Sequence, residues 1–158
     1  MDGASTAKAQ VFYEDIESGD EIPRLVKNCS TRQLVMWAAA SGDFYEIHYD
    51  VDYARSIGLE GLVVHGALKN AFLGQLVHDW VRPGGSIVRF GCSYRGLDYP
   101  KQDIICRGVV RDKYRAEGRG LVELDIWTEN PEGRVTTPGS ALVSLPLRSD
   151  QSVVREPG

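Results

Sequence analysis

The segment from Ala67 to Val81 constrains the fold more than any other part of the chain. Drawn as a helix, it is apolar over a wide arc, which is typical of a helix surrounded by other elements. Arg82-Pro83-Gly84-Gly85 follows and ends it, because proline and glycine both oppose continuation of a helix. The rest of the chain therefore has to supply a surface that covers one largely buried helix.

After Gly85 the sequence changes to strand-like runs separated by turn signals. Apolar and polar residues alternate clearly from Leu121 to Trp127, and Asn130-Pro131-Glu132-Gly133 is typical of a hairpin turn. An earlier run, Ile22 to Cys29, contains Pro23 and is predicted to be an edge strand. The four later runs cover residues 87–95, 103–115, 120–129 and 134–147. This order predicts an α+β fold with a curved antiparallel sheet of five to six strands around a central helix.

Two shorter helices are predicted ahead of the central one. Ser30 or Thr31 is a suitable N-cap, and Gln33 lies three residues after Ser30, as in a capping box. That helix should end near Ser41-Gly42. A short helical piece is predicted for residues 52–57, and residues 43–52, which lack a clean period, are predicted to form an ordered loop.

Length and charge narrow the class of protein. The chain has 158 residues and a net charge of −4, so we expect one domain over residues 1–158 and no nucleic-acid partner. Residues 1–10 are predicted to be a flexible leader and residues 148–158 a frayed tail. No run of 18 apolar residues and no signal-peptide pattern is present, so we expect no membrane partner. Three cysteines without metal-ligand spacing indicate a reduced, cytoplasmic protein without a bound metal.

Two features carry possible chemistry. His48 follows Asp43 by five residues, and a carboxylate beside an imidazole can hold one water molecule and move its protons. By spacing alone, the commoner explanation is a turn-capping Asp43 beside a structural His48. Gly66 opens the central helix, where a free N–H and the helix dipole can stabilise an oxyanion, although tight packing also explains a glycine there. His65 is expected to be structural and hydrogen-bonded beneath the loop.

Taken together, these residues resemble the hydratase motif of the MaoC-like family. The similar run is Ser41-Gly42-Asp43-Phe44-Tyr45-Glu46-Ile47-His48-Tyr49-Asp50, and it continues through Tyr53-Ala54, Gly58, Gly61-Leu62-Val63-Val64 and His65-Gly66-Ala67-Leu68. The family contains R-specific enoyl-CoA hydratases and 3-hydroxyacyl dehydratases, and the resemblance covers residues 10–147. It implies a hot-dog fold and reversible addition of water across the trans-2 double bond of an acyl thioester. It implies no metal or redox cofactor, with coenzyme A or acyl carrier protein as part of the substrate.

The resemblance assigns roles to individual residues. The catalytic aspartate and histidine of the family fall on Asp43 and His48, and the glycine whose N–H polarises the thioester carbonyl falls on Gly66. The residues expected to contact the substrate are Tyr45, Ile47, Val64, His65, Ala67, Asn70, Tyr94 and Arg95. Some basic residues on the strands could meet the phosphates of coenzyme A, although solvated strand faces explain them as well: Arg89, Arg95, Lys101, Arg107 and Arg111.

The chain departs from the family pattern at three positions. Tyr45-Glu46 replaces the family's Asn-Pro, so the loop must be braced in another way. Gly74 stands where some relatives have a serine that supports the catalytic aspartate, and Asn70, one turn earlier, is the candidate replacement. Ala67 replaces the usual methionine, which would widen the pocket for a bulkier acyl chain.

Two other functions stay open at this stage. A thioesterase of the same fold would carry its carboxylate on the central helix, which offers only Asp79 near its end. A subunit of a heteromeric MaoC-type hydratase is the other alternative, although the intact Asp43 and His48 favour an active chain. The resemblance implies a homodimer with sheets joined edge to edge, with a higher or heteromeric assembly as the alternative.

Overall fold

The computed structural model describes residues 9–148. Except for Ala9, Gln10 and Arg148, the predicted leader and tail lie outside the described residues. The described helices are α1 (Thr31–Ser41), α2 (Val51–Ser56) and α3 (Gly66–Val81). The strands are β1 (Leu25–Asn28), β2 (Ser86–Cys92), β3 (Asp103–Ala116), β4 (Arg119–Glu129) and β5 (Val135–Leu145).

The five strands form one antiparallel sheet in the order β1-β3-β4-β5-β2. β1 lies at an edge, as Pro23 predicted, but it is shorter than the predicted run of residues 22–29. The predicted strand over residues 87–95 ends at Cys92, so the chain leaves the sheet at Ser93. The predicted loop over residues 43–52 contains a turn of 3₁₀ helix, Glu46–His48.

Helix α3 packs across the inner face of this sheet. Leu68, Phe72, Leu73, Leu76 and Val77 are buried on the helix. Facing them, alternate residues of the strands are buried, among them Ile104, Val110, Val122, Leu124 and Val143. Removing this apolar surface from water is the main stabilising contribution, at roughly 25 cal/mol per Å². The predicted curved sheet around a central helix is confirmed.

Within residues 9–148, no helix is long and apolar enough to cross a membrane. The part of the chain that matters for the site is the connection from α1 to α3. It leaves the end of α1, passes through the 3₁₀ turn and α2, and returns to the N-terminus of α3 at Gly66.

Candidate active site

The end of α1 determines where the candidate carboxylate begins. The Ser30 hydroxyl accepts a hydrogen bond from the Gln33 N–H at 3.1 Å, which confirms the predicted N-cap. At the other end, Gly42 has φ 76°, a left-handed conformation that glycine adopts without steric cost. The chain turns there, and Asp43 directly follows this C-cap residue.

Asp43 and His48 face each other across the 3₁₀ turn. The Oδ2 atom of Asp43 lies 3.9 Å from Nε2 of His48. His48 Nδ1 lies 2.8 Å from the Val63 carbonyl oxygen, so Nδ1 carries the proton and donates to it. Nε2 of neutral His48 is therefore the unprotonated nitrogen and faces the carboxylate. The Asp43 side chain is 46% exposed, whereas that of His48 is 9% exposed, so the pair lies at the surface of the core.

His65 lies directly against His48. The two imidazole rings are stacked, with centroids 3.6 Å apart and planes at 18°. Nε2 of His65 donates to the Asp43 carbonyl oxygen at 3.3 Å, which ties the loop to the start of α3. Burial and then the neighbouring His48 lower the pKa of His65 below its ordinary value of 6.5. A neutral His65 therefore supports His48 at physiological pH.

Asp43, His48 and His65 also present ligand atoms within 4.8 Å of one another, as a metal site would. Their orientation does not suit one ion. In stacked rings the nitrogen lone pairs lie in nearly parallel planes and do not converge, and Nε2 of His65 already donates to a carbonyl. The donor set fits a hydrogen-bonded acid/base group better than a metal centre.

Gly66 opens α3, and Tyr94 covers it. Among the described residues, the Gly66 N–H has no hydrogen-bond acceptor, as expected for the first turn of a helix. A Cβ at Gly66 would lie 2.8 Å from Cγ and Cδ2 of Tyr94, so only glycine lets the ring approach this closely. Tyr94 as a whole residue is 54% exposed. A free N–H at a helix N-terminus beside an aromatic wall can bind a partial negative charge.

The structure shows what braces the loop in place of the family's asparagine and proline. The Tyr49 hydroxyl donates to the Phe44 carbonyl oxygen at 3.0 Å. The Asp43 side chain accepts from the Tyr45 N–H at 3.4 Å, and the Tyr45 ring meets the His48 ring edge-on. Together with the bond from His65, these contacts hold both ends of the 3₁₀ turn.

The other expected substrate contacts surround this group unevenly. Ala67 is exposed at the start of α3, Ile47 is half-buried, and Val64 is buried. Among the described residues, Asn70 makes no hydrogen bond to Asp43. Its Oδ1 instead accepts from the Cys92 thiol at 3.3 Å. The suggested replacement for the helix serine is therefore not made.

Arg95 lines a cavity that neither Asp43 nor His48 lines. The cavity measures about 470 Å³ and is also lined by Glu60, Arg134 and Thr136, a polar space next to the segment that carries Tyr94. Two of the other basic residues form ion pairs on the sheet: Arg107 with Glu129 at 2.9 Å, and Arg111 with Glu123. Solvated strand pairs explain these two arginines.

Sequence reasoning missed one polar group near the site. Lys69 on α3 is 2% exposed, and its Nζ lies 2.7 Å from Oδ2 of Asp98, which is 3% exposed. The signal was present, because Lys69 is in helical register with Phe72, Leu73 and Leu76 on the buried face. A lysine there needs a buried partner, and the sequence does not say which carboxylate supplies it.

Comparison with known proteins places this geometry in context. The family model described as MaoC like domain matches residues 15–125. The fatty acid synthase beta subunit TOXC of Cochliobolus carbonum is 30% identical over 102 residues. That match covers 63% of this chain but only 5% of the length of TOXC.

Two solved structures show the same fold. The R-hydratase PhaJ1 of Pseudomonas aeruginosa superposes with a TM-score of 0.78 at 21% identity, covering 88% of each chain. A chain of the ChsH1–ChsH2 complex of Mycobacterium tuberculosis superposes with a TM-score of 0.72 at 22% identity, covering 82% of this chain and 98% of that one. These likenesses confirm the predicted hot-dog fold.

Proposed function

This chain belongs to the family of MaoC-like dehydratase domains, and on that premise we propose that it catalyses reversible, R-specific addition of water to trans-2-enoyl thioesters. Membership supports a hydratase or dehydratase. The observation that carries the finer proposal is the pairing of Asp43 and His48, with a separation of 3.9 Å between Oδ2 and Nε2. That distance is too long for a direct hydrogen bond and suits one bridging water molecule.

In the hydration direction, the water held by the pair is the nucleophile. Nε2 of His48 is the general base, because Nδ1 is protonated and bonded to the Val63 carbonyl. The water oxygen forms a bond to C3, His48 accepts one proton, and the π electrons move toward the carbonyl. A proton then returns from the pair to C2. The substrate has gained H and OH, and the pair regains its starting protonation state.

The charge that develops on the thioester oxygen requires a donor. The unpaired N–H of Gly66 lies at the positive end of α3, so it would stabilise an enolate-like oxygen there. We propose that the Tyr94 ring forms one wall beside that oxygen. The carrier is coenzyme A or acyl carrier protein, and the similarity to part of a fatty acid synthase subunit supports a fatty acyl substrate.

The test is an assay with trans-2-enoyl-CoA substrates of graded size, starting with crotonyl-CoA. Loss of the enoyl absorbance with the purified chain is expected for at least one of them. Release of free coenzyme A thiol without hydration would indicate a thioesterase instead. That alternative expects its carboxylate on α3 itself, and the one carboxylate of this helix, Asp79, lies thirteen residues beyond Gly66, about 20 Å along the axis.

We further propose that the chain forms a homodimer through the β2 edge. β2 is an edge strand, because within the described sheet it pairs with β5 alone. Ile87 and Val88 on this strand are 37% and 48% exposed. An exposed apolar edge strand favours pairing with a second copy. Sedimentation of the purified chain should give twice the monomer mass. A monomer that gains activity only with a second, different chain would support a heteromeric hydratase.

A further inference from the structure

Residues 94–98 belong to the connection from β2 to β3, and they are hydrogen-bonded to residues on both sides of the start of α3. The Val64 N–H, two residues before Gly66, donates to the Asp98 carbonyl oxygen at 2.8 Å. The ammonium group of Lys69, three residues after Gly66, donates to the Gly96 carbonyl oxygen at 2.8 Å. Tyr94 begins this segment, and its ring lies on Gly66.

The bond between Lys69 and Asp98 holds the segment in this position. Nζ of Lys69 lies 2.7 Å from Oδ2 of Asp98, and the Thr136 hydroxyl donates to the same oxygen at 2.6 Å. Thr128 bonds Thr136 at 2.8 Å, so the network continues into β4 and β5. Oδ1 of Asp98 is buried without a hydrogen-bond partner in the described range.

A buried ion pair of this kind is a poor source of stability. Desolvation of both charges offsets most of their attraction, and apolar residues of similar volume often serve as well. What the pair does provide is a defined geometry, because removing either partner leaves a buried charge. The Arg95 and Gly96 N–H groups also donate to the Thr136 carbonyl oxygen, at 3.0 and 2.9 Å. The segment therefore has one position relative to α3.

We infer that Lys69 and Asp98 are positioning residues that hold Tyr94 against Gly66 and so aim the Gly66 N–H at the reacting carbonyl. The inference rests on the proposed function and adds to it two residues that touch no substrate. The buried pair of Lys69 and Asp98 sets the geometry of the oxyanion donor, and Asp43 and His48 carry out the proton transfer.

The test is the double variant Lys69→Met/Asp98→Asn, which removes both charges and keeps an acceptor for Thr136. Its kcat and kcat/KM should fall together by about 10- to 100-fold, with little change in KM, since the lost interaction acts in the transition state. The matched control is Arg107→Met/Glu129→Gln. The Glu129 carboxylate, like that of Asp98, has a second donor, here Trp127, and the pair lies on the sheet face opposite α3. It should keep wild-type kcat.

Two signals report the positioning without substrate. The Tyr94 ring should shift the α-proton resonances of Gly66 upfield, and the double variant should lose that shift. Hydrogen exchange at the Val64 amide, which bonds to Asp98, should become faster. An unchanged Gly66 shift, together with kcat within about twofold of wild type, would overturn the inference. An inactive wild type whose Gly66 and Val64 signals respond as expected would contradict the proposed function alone.

If the neutral double variant does not fold, Asp98→Glu keeps both charges and lengthens the carboxylate by one methylene. The longer side chain should push the segment away from the helix start. The same loss of kcat and the same change at Gly66 are then expected. A folded Asp98→Glu protein with wild-type kcat and an unchanged Gly66 resonance would contradict the inference equally.

Discussion

The imidazole rings of His48 and His65 are stacked 3.6 Å apart, and this contact fixes the orientation of the proposed base. His48 is held at Nδ1 by the Val63 carbonyl oxygen, and its ring makes a T-shaped contact with the ring of Tyr45. His65 covers one face of the ring. With these contacts made, Nε2 of His48 can point only toward Asp43. Catalytic groups need support of this kind, because small displacements cost large factors in rate.

Neutralising Asp43 should abolish most of the activity without unfolding the protein. Asp43→Asn keeps the size of the side chain but removes the charge that holds the water, so kcat/KM should fall by roughly 10²- to 10⁴-fold. The change is tolerable for folding because Asp43 is 46% exposed. Asp52→Asn, at an exposed aspartate in α2, is the control and should retain activity. Full activity of Asp43→Asn would show that the pair is structural.

Adding one methyl group at Gly66 should separate stability from activity. In Gly66→Ala the new Cβ would lie 2.8 Å from the Tyr94 ring, so Tyr94 must move, at a cost of about 1–3 kcal/mol. The methyl group and the displaced ring should misplace the N–H, lowering kcat by about 10²-fold. Stability is measured by urea unfolding.

A second substitution distinguishes the two effects. Gly66→Ala/Tyr94→Ala should recover stability, because the methyl group then has room, while kcat stays low. Gly61→Ala is the control, since a Cβ there meets nothing within 4 Å. Wild-type kcat in Gly66→Ala would argue that Gly66 serves packing only.

The sequence predicted much of this molecule because its main features are local. The strands from Asp103 to Leu145 are predicted by the alternation of apolar and polar residues and by the turn residues between them. Ser30 caps α1 by bonding to a residue three positions away. The burial of Lys69 with Asp98 is different. These residues are 29 positions apart, and their meeting depends on the chain leaving the sheet at Ser93, which alternation alone does not reveal.

Within the candidate active site, too, the roles tied to positions along the chain could be predicted, and those that depend on long-range contacts could not. The resemblance identified Asp43 and His48 by their order along the chain, but it carried no information on how Tyr45-Glu46 would be accommodated. The answer is a long-range bond from His65 and a local bond from Tyr49 to Phe44. Asn70 was a reasonable substitute by helical spacing, yet its side chain turns to Cys92 on β2.

The stability of the fold should decrease as the pH falls below 6.5. Burial lowers the pKa of His65 in the folded state from an ordinary value of 6.5, so the unfolded chain binds more protons in this range. The contribution of neutral His65 to the free energy of unfolding is fully present above pH 6.5. It is lost progressively as the pH falls from 6.5 to the lowered pKa of His65. Urea unfolding followed by tryptophan fluorescence at pH 5 to 8 measures it.

The variant His65→Gln isolates this group. Its side-chain N–H can still donate to the Asp43 carbonyl, but it has no proton to gain. The free energy of unfolding of the variant should depend less on pH than that of the wild type. The same slope in both proteins would mean that other groups cause the acid sensitivity.

The cysteine thiols of the folded protein should react slowly with thiol reagents. Burial raises the pKa of Cys29 to about 11 and that of Cys106 to about 12, so neither forms thiolate near neutral pH. We expect a disulfide reagent at pH 8 to modify at most the half-buried Cys92 in the folded protein, and all three cysteines after unfolding. Cys92→Ser should then remove the native reaction. Rapid labelling of Cys106 in the folded state would contradict the packing described for the core.

The most direct test of the central claim is the configuration of the product. The purified chain is incubated with trans-2-enoyl-CoA, and the 3-hydroxyacyl product is separated on a chiral phase and quantified for wild type and Asp43→Asn. The proposed R-specific function predicts the R enantiomer from the wild type, and the proposed role of Asp43 predicts a nearly complete loss of product from the variant. An S product, or equal yields from both proteins, would contradict it.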